Sequence, residues 1–320
     1  MSNQIKFVGL HAHSVFSVFD GLGYPQDHID YAIENGMDAL ALTDHGNMNG
    51  LSYQVLHSKK VQKEGKNFKP IFGIEGYFID SISKWKEEKE EIDKNKKGRK
   101  KKEENSAVVI EDEEATKRQE KNILNRRAHL VLLVQNQTGL NNLFTLVSKS
   151  FDPENFYRYP RIDFDMLREH NEGIIVSSAC MGGPLSKDYW NNREEGDEAV
   201  QRAMVATIEN FTSIFGDRFY GELQWNAIPE QHEINKHIIK AAKRTGIKLI
   251  STADSHYPRP ELFKDRELYK QLGWLGKSKP DYADSKLPES REELKYELYP
   301  KNGDQMWEAY KTYSKQCGVD

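Results

Sequence analysis

Residues 39–47 read ALALTDHGN and combine an apolar run with a polar pair. The apolar run ALAL continues into Thr43 and predicts a strand that is covered on both faces, as in parallel sheets and barrels. The polar pair Asp44-His45 follows at once, and a glycine comes next. Barrel enzymes place functional groups directly after a strand in this way. The same pattern also fits an aspartate that caps a helix beside a solvent-facing histidine. Both alternatives stay open at this point.

Similar apolar runs recur along the chain, seven in all. They cover residues 7–10, 39–43, 71–74, 130–134, 173–177, 220–223 and 249–252. Amphipathic stretches at residues 25–35, 51–64 and 234–245 lie between them, and a glycine follows each. Glycine tolerates the positive φ that the end of a helix requires. Strand alternating with helix in this way predicts an α/β barrel.

Two segments break the alternation. Residues 81–127 are dominated by Lys, Glu, Asp and Asn and cannot bury enough apolar area to offset the entropy of ordering. We expect a solvated, partly disordered insertion with some helix in its second half; a basic finger at residues 96–102 that touches phosphates is the alternative. Residues 277–320 are polar and end in a helical pattern near Met306. The predicted organisation is a barrel domain at residues 1–276, which carries the insertion, and a C-terminal extension at residues 277–320.

Composition bounds the class of protein. The 320 residues include 46 basic and 50 acidic side chains, so the overall charge gives no sign of a domain that grips DNA through a basic surface. Carboxylates around bound cations would also lower the net charge, which leaves a nucleic-acid substrate open. Two cysteines lie far apart, no apolar run is long enough to span a membrane, and the first residues do not form a signal peptide. We expect a soluble cytoplasmic protein with no membrane partner.

Metal-ligating residue types gather at the ends of the predicted strands. His11 and His13 alternate in an extended segment, so both can face one cation. Glu75 ends a buried strand between two glycines, where its charge is costly unless a cation or hydrogen bonds compensate. Asp254 and His256 repeat the spacing of two residues after the last strand. His45 follows the second predicted strand. Four strand ends therefore supply imidazole and carboxylate groups.

Three further candidates are less regular. Asp20 lies at a turn, and Cys180 after the fifth strand is either a small buried apolar residue or a soft ligand. His129 precedes its strand, so spacing alone does not place it in the same site. The combined ligand types suit Zn²⁺, Mn²⁺ or Fe²⁺ and exceed the four ligands that one tetrahedral site needs. A cluster of two or three divalent ions fits the hydrolysis of a phosphate ester.

The order of these motifs resembles a known family. The motifs are LHAHSVFSVFDG, ALALTDHGNMNG, KPIFGIEGYF, HLVLLVQNQTGLNNLF, YPRID, GIIVSSACMGGPLS, ELQ and STADSHY. They resemble the polymerase and histidinol phosphatase (PHP) domain, and more narrowly the N-terminal PHP domain of bacterial DNA polymerase III alpha subunits. The resemblance covers nearly the whole chain apart from the insertion. It implies a distorted (β/α)7 barrel that is similar to a TIM barrel.

The resemblance also implies a centre of up to three metal ions with nine ligands. The matching residues are His11, His13, Glu75 and Asp254 for one metal, Glu75 as a bridge with His129 and Cys180 for a second, and Asp20, His45 and His256 for a third. All nine positions carry a competent ligand, as in members that retain their metals. The implied activity is a metal-dependent 3′–5′ exonuclease in proofreading, with a DNA 3′ end as substrate and a polymerase core or other replisome subunits as partners.

Four residues outside the nine are further candidates. Asp44 is expected to take a catalytic part by orienting a ligand or a water. Arg158, Arg161 and Tyr257 lie close to motif residues in sequence and are candidates to contact phosphate or base. No palm-like carboxylate motif is found, so we expect no polymerase active site here and a fragment or split subunit of a polymerase. The alternatives are a freestanding phosphatase for a small phosphomonoester such as histidinol phosphate and a catalytically silent scaffold.

Overall fold

The computed structural model describes residues 5–103, 111–275 and 286–319, and it contains eight strands and eleven α-helices within those ranges. The strands are β1 Ala39–Leu42, β2 Lys69–Phe78, β3 Ala128–Val134, β4 Phe156–Tyr157, β5 Tyr159–Ile162, β6 Ile174–Ser177, β7 Phe219–Gln224 and β8 Lys248–Thr252. The helices are α1 Pro25–Glu34, α2 Leu51–Lys63, α3 Ile82–Glu103, α4 Glu111–Leu124, α5 Gln137–Ser150, α6 Phe164–Glu169, α7 Pro184–Asn192, α8 Asp197–Phe215, α9 Pro229–Thr245, α10 Phe263–Trp274 and α11 Gly303–Tyr313. The predicted α/β class is confirmed.

Six of the strands and the first described segment form a curled sheet that closes on itself. The hydrogen-bonded order runs β1-β2-β3-β6-β7-β8. The segment at residues 9–12 bridges both ends, because Gly9 pairs with Leu40 of β1 and Ala12 pairs with Ser255 just after β8. These bridges do not extend into a regular strand, unlike the strand predicted at residues 7–10. The seven members of the barrel correspond to the seven apolar runs of the sequence.

Among the six strands of the barrel, one runs antiparallel to its neighbours. β3 is antiparallel to β2 and to β6, whereas β1 and β2 run parallel, as do β6, β7 and β8. The N-terminal end of β3 therefore lies at the same edge as the C-terminal ends of its neighbours. Side chains of β3 alternate between the barrel interior, with Val131 and Leu133 beside Ala41, and the outer face, with Leu130 and Leu132 in the main core. This reversal is the distortion of the barrel, and it places His129 at the edge where the other strands end.

The insertion is more ordered than the sequence predicts. Helix α3 follows β2 directly and α4 precedes β3, so the described residues on both sides of residues 104–110 are helical. Ile82, Trp85, Ile92 and Leu124 are buried, and the first two belong to the main core. These few apolar residues were not recognised as buried, because charged residues dominate the segment around them. The side chains at residues 97–102 of the expected basic finger lie outside the described residues.

The described part of the C-terminal extension, residues 286–319, packs on the barrel. Leu298 accepts hydrogen bonds from the backbone N–H groups of His256 (2.7 Å) and Tyr257 (3.1 Å). Met306 of α11 and Cys317 join the main core. Asn302 caps α11 by accepting a hydrogen bond from the Gln305 N–H. Within the described ranges, no helix combines the length and the apolar character that crossing a membrane requires.

Candidate metal centre

The structure brings all nine predicted ligands together at one edge of the barrel. They come from the first segment (His11, His13), the following turn (Asp20), the loop after β1 (His45), β2 (Glu75), β3 (His129), the loop after β6 (Cys180) and the loop after β8 (Asp254, His256). Each of the nine has a ligand atom within 3.7 Å of a ligand atom of another. The parallel strands end here and β3 begins here, so chain segments of very different sequence position meet.

Glu75 lies at the centre of this cluster. Its Oε1 is 3.2 Å from His11 Nε2 and 3.2 Å from His129 Nδ1, and its Oε2 is 2.7 Å from His45 Nδ1. The Cys180 thiol lies 3.7 Å from Oε1. One carboxylate therefore faces imidazoles from three separate chain segments. This position suits a carboxylate that bridges two cations.

Two further groups flank Glu75. Asp254 Oδ1 lies 3.2 Å from His11 Nε2 and 3.4 Å from His13 Nε2. On the other side, Asp20 Oδ2 lies 3.1 Å from His45 Nε2 and 3.4 Å from His256 Nε2. The first group matches the set predicted for one metal and the second matches the set predicted for another. These distances support the predicted grouping, which stays a proposal.

The close approaches inside the cluster leave three buried polar atoms without an aligned hydrogen bond. His45 Nδ1 and Glu75 Oε2 lie 2.7 Å apart, and Asp254 Oδ1 lies 3.2 Å from His11 Nε2, but none of the three buried atoms makes a hydrogen bond of normal geometry with the described residues. An unsatisfied buried donor or acceptor costs roughly 1–3 kcal/mol, and more when it is charged. Divalent cations would satisfy all three at once. The residues therefore fit a metal cluster, and their mixture of imidazole, carboxylate and thiol groups admits Zn²⁺, Mn²⁺ or Fe²⁺.

The electrostatics of the cluster lead to the same conclusion. Burial lowers the pKa of His13 to about 3, with help from the charges of His45 and His256, so His13 stays neutral and keeps a lone pair for a metal. Burial also disfavours charge on His45, yet Glu75 and Asp20 raise its pKa to about 10. The carboxylates thus draw positive charge into a buried site. A divalent cation supplies that charge and can displace the proton from His45.

Hydrogen bonds fix which nitrogen of several histidines faces the cluster. His11 Nδ1 donates to Glu222 Oε1 at 2.7 Å, and His256 Nδ1 donates to the Asp254 carbonyl at 2.7 Å. The Ser17 hydroxyl donates to Asp44 Oδ1 (2.7 Å), so it accepts a hydrogen bond from His13 Nδ1 (3.0 Å). In all three rings the proton is held on Nδ1, and Nε2 is left to bind a metal.

Glu222 was missed by the sequence reasoning, although its motif ELQ was noted. Its side chain is buried in β7 and also accepts hydrogen bonds from the hydroxyls of Ser177 and Thr252, both at 2.5 Å. The predicted ligands lie mostly at strand ends, whereas Glu222 lies within a strand. A carboxylate flanked by apolar residues in a strand predicted to be buried was the available signal.

Asp44 contacts the cluster indirectly, through Ser17. It is buried and accepts hydrogen bonds from the backbone and hydroxyl of Ser14 and from the hydroxyl of Ser17. Burial raises the pKa of its carboxyl group, while these hydrogen bonds oppose the shift. Since Ser17 in turn orients His13, Asp44 is a positioning residue. That Asp44 orients a ligand stays a proposal, which rests on this chain of contacts through Ser17.

Arg266 is a second residue that the sequence did not reveal. Its guanidinium is buried and bonds Asp20 twice, through Oδ1 at 2.5 Å and through the backbone carbonyl at 3.0 Å. Burial would raise the pKa of Asp20, yet His256, His45 and Arg266 hold it well below its usual range. Arg266 thus fixes one carboxylate oxygen and leaves Oδ2 facing His45 and His256. No sequence spacing connects two residues that lie on such distant segments.

The structure corrects two of the three predicted nucleic-acid contacts. Arg161 is fully buried, and its guanidinium donates to the backbone carbonyls of Leu124, Arg126 and two residues of the β4–β5 hairpin. Tyr257 is 2% exposed, and its hydroxyl accepts a hydrogen bond from the Leu298 N–H. Both residues bond the protein's own backbone, so neither can reach a phosphate or a base. Arg158 is exposed at the turn of the hairpin and stays a candidate.

Comparison with solved structures finds distant similarity. An amidohydrolase from Chromobacterium violaceum is 15% identical, with a TM-score of 0.42, over 78% of this chain and 88% of that protein. A putative metal-dependent phosphoesterase from Bifidobacterium adolescentis is 14% identical, with a TM-score of 0.40, over 98% of this chain and 97% of that protein.

Sequence relatives are much more similar. The DNA polymerase III subunit alpha of Aquifex aeolicus is 35% identical over 80% of this chain, and that of Borreliella burgdorferi is 31% identical over 97%. The matched parts cover 18% and 22% of those proteins, so the chain spans about a fifth of the relatives it matches. The family model described as the PHP domain matches residues 9–226, which include the first seven ligands in chain order, from His11 to Cys180. With a barrel closed as expected and a ligand cluster at its edge, the chain belongs to the PHP domain family.

Proposed function

We propose that this chain is a metal-dependent phosphoesterase that removes nucleotides from DNA 3′ ends, as the PHP domain of a DNA polymerase III alpha subunit. The observation that carries the proposal is the cluster of nine candidate ligands around the buried Glu75, in which three buried polar atoms make no aligned hydrogen bond. A scaffold that binds no metal needs neither the full set nor its fixed imidazole orientations. The relatives are DNA polymerase III alpha subunits, which favours DNA as the substrate.

The protein's own groups would perform distinct tasks in this reaction. Divalent ions, when bound, polarise a phosphoryl oxygen and lower the pKa of water to near neutrality. Glu222 and the Asp44–Ser17 pair hold His11 and His13 in the tautomers that bind metal. Arg266 keeps Asp20 aligned. With the ligands rigidly oriented before substrate arrives, little reorganisation is needed at the moment of reaction.

The wider context belongs to the same proposal. We infer two or three divalent ions (Zn²⁺, Mn²⁺ or Fe²⁺), a role in proofreading, and a polymerase core or other replisome subunits as partners. The place of action would be the cytoplasm of a bacterium or of a phage-infected bacterium. Co-purification of the chain with a polymerase core from its native source would test the partnership.

One assay separates the proposed function from its alternatives. The purified chain is given a 5′-labelled primer or histidinol phosphate, each with Mn²⁺, with Zn²⁺ and with a chelator. Metal-dependent shortening of the primer from its 3′ end is expected. Release of phosphate from histidinol phosphate without shortening would instead support the small-substrate phosphatase. Bound metal with neither activity would refute catalysis and support a structural role.

A double variant, His11→Ala with His13→Ala, serves as the matched control. It removes two ligands of one metal and is expected to abolish turnover while the circular dichroism spectrum stays that of a folded barrel. Retained exonuclease activity in this variant would trace the activity to a contaminating nuclease or to another site. The same preparation also reports the loss of metal by elemental analysis.

A further inference from the structure

A group of aromatic and basic residues lies beside the metal centre and has no part in holding metal. Tyr77 pairs with His129 across β2 and β3, and its ring stacks on the ring of His45 with centroids 5.9 Å apart. It also meets the ring of His129 edge-on at 5.7 Å and that of Tyr159 at 4.9 Å. Tyr77 therefore forms the wall of the site between two ligands and the β4–β5 hairpin.

Arg127 covers this aromatic pair. Its guanidinium carbon lies 3.7 Å from the centroid of the Tyr159 ring and 5.7 Å from that of Tyr77. It precedes His129 by two residues at the start of β3, so the backbone brings both toward the same edge of the barrel. One terminal nitrogen donates to the Asn125 carbonyl, but Nε is buried and bonds none of the described residues. Arginine in such a setting presents a rigid fork of donors that matches a phosphate.

A second cation lies close by. The backbone N–H of His129 bonds the carbonyl of Gly182 (2.9 Å), which places the start of β3 next to the start of α7, where Lys187 completes the first turn. Burial lowers the pKa of Lys187 to about 8, and the charges of Arg127 and Arg126 add to the effect. Asp80 is the neighbouring acid that opposes it. No hydrogen bond to the Lys187 ammonium is found among the described residues. Cations held together in this way favour an anion between them.

We propose that Arg127 and Lys187, beside the wall formed by Tyr77 and Tyr159, form a subsite for the phosphodiester groups of a single-stranded DNA 3′ end. This inference rests on the proposed nuclease function and specifies its substrate class. A strand whose last phosphodiester reaches the metal cluster would lay the next phosphates along Arg127 and Lys187. Such a subsite favours a polynucleotide over a small phosphomonoester, since a monoester has only the group that enters the cluster.

The test compares charge-removing variants with a matched control. The variants are R127Q, K187Q and the charge-preserving R127K, and the control is R193Q. Arg193 also stacks on an aromatic ring (4.9 Å from the Trp190 centroid), but it follows the far end of α7, about 13 Å from that helix's start at 1.5 Å per residue. Binding of a 5′-fluorescein-labelled oligodeoxythymidine is followed by anisotropy across a salt series. Primer shortening with Mn²⁺ gives KM and kcat.

R127Q and K187Q are each expected to bind the oligonucleotide roughly tenfold more weakly, since each loses a charged hydrogen bond. The slope of log K against log salt should fall by about 0.7 for each phosphate contact that is lost. KM should rise by more than kcat falls. R127K should keep the salt slope and lose part of the affinity, because it keeps the charge without the fork, and R193Q should match the wild-type protein.

Two negative results are distinguishable. If the wild-type chain binds the oligonucleotide through these residues but cleaves nothing, the nuclease function fails and the subsite stands. If it cleaves primer while R127Q and K187Q keep the wild-type affinity, salt slope and KM, the subsite is refuted and the nuclease function stands. Thermal melting checks folding. Should R127Q unfold, K187Q and R127K decide the question, and wild-type binding and salt slope in both would overturn the proposal.

Discussion

Replacing Glu222 by glutamine should weaken metal binding without unfolding the protein. The carboxylate accepts hydrogen bonds from His11, Gln224 and Thr252 at Oε1 and from Ser177 at Oε2. A glutamine can keep its oxygen toward the first three donors and turn its amide toward Ser177, because a hydroxyl can rotate and accept. The hydrogen bonds thus survive in number while the negative charge behind His11 disappears.

The magnitude follows from that single loss. A residue that orients a metal-binding histidine typically changes metal affinity by about 10–100-fold when it is replaced, which corresponds to roughly 1.4–2.7 kcal/mol. Since every buried donor keeps an acceptor, the free energy of unfolding of the metal-free protein should fall by only about 1 kcal/mol. Glu222→Ala differs, because it leaves a cavity and several buried donors unpaired, and should lower the free energy of unfolding by roughly 3–5 kcal/mol.

Competition with a chelating fluorophore measures the metal affinity, and urea unfolding in the presence of a chelator measures stability. Glu230→Gln is the matched control, since Glu230 is exposed at the start of α9 and the same change in charge there leaves the centre intact. A wild-type metal affinity in Glu222→Gln would refute the view that Glu222 tunes His11. An equal loss of metal affinity in Glu222→Gln and Glu230→Gln would show that the effect comes from the change in net charge alone.

Three further outcomes are expected. Arg266→Met should lower the unfolding free energy of the metal-free protein by roughly 3 kcal/mol, because it removes the buried guanidinium that bonds both the Oδ1 and the backbone carbonyl of Asp20; urea unfolding that matches the wild type would contradict this. Asp188→Asn should raise Tm more at pH 8 than at pH 5. Burial raises the pKa of Asp188 to about 6, so the unfolded chain releases this proton more readily and the protein loses stability as pH rises from about 4 to 6; an equal gain at both pH values would be the opposing result. Arg161→Gln should lower Tm with no effect on the affinity for DNA, since the side chain bonds only backbone carbonyls; weaker binding of a labelled oligonucleotide by a folded Arg161→Gln protein would restore the original prediction.

Local sequence patterns predicted the features that depend on a single strand, namely its position and the residues at its end. The apolar runs located the barrel strands, and His45 and Glu75 were expected at the edge because each follows or ends such a run. His129 could not be placed by this reasoning, because its position depends on the direction of β3, which is set by pairing with β2 and β6. The family resemblance supplied that residue before the structure explained it.

Contacts between distant segments were beyond the reach of the sequence. Arg266 meets Asp20 across 246 residues, and Glu222 meets His11 across 211. Burial was equally hard to predict where charge dominates. Arg161 and Tyr257 were named as candidates because they lie close to motif residues in sequence. Arg161 is enclosed by Trp85 and the end of α4, and Tyr257 by the C-terminal segment.

The reversed direction of β3 has a consequence for how the barrel tolerates change in its length. A connection between parallel neighbours must cross from one mouth of a barrel to the other, which fixes a minimum size for it. β2 and β3 are antiparallel, so the chain leaves and re-enters at the same rim, the one that carries Glu75 and His129. The α3–α4 excursion is therefore an enlarged hairpin turn. Outside its buried residues Ile82, Trp85, Ile92 and Leu124, it can change in length or charge without shifting the strand register, and every such change alters the surface next to the candidate metal-binding rim rather than the opposite mouth.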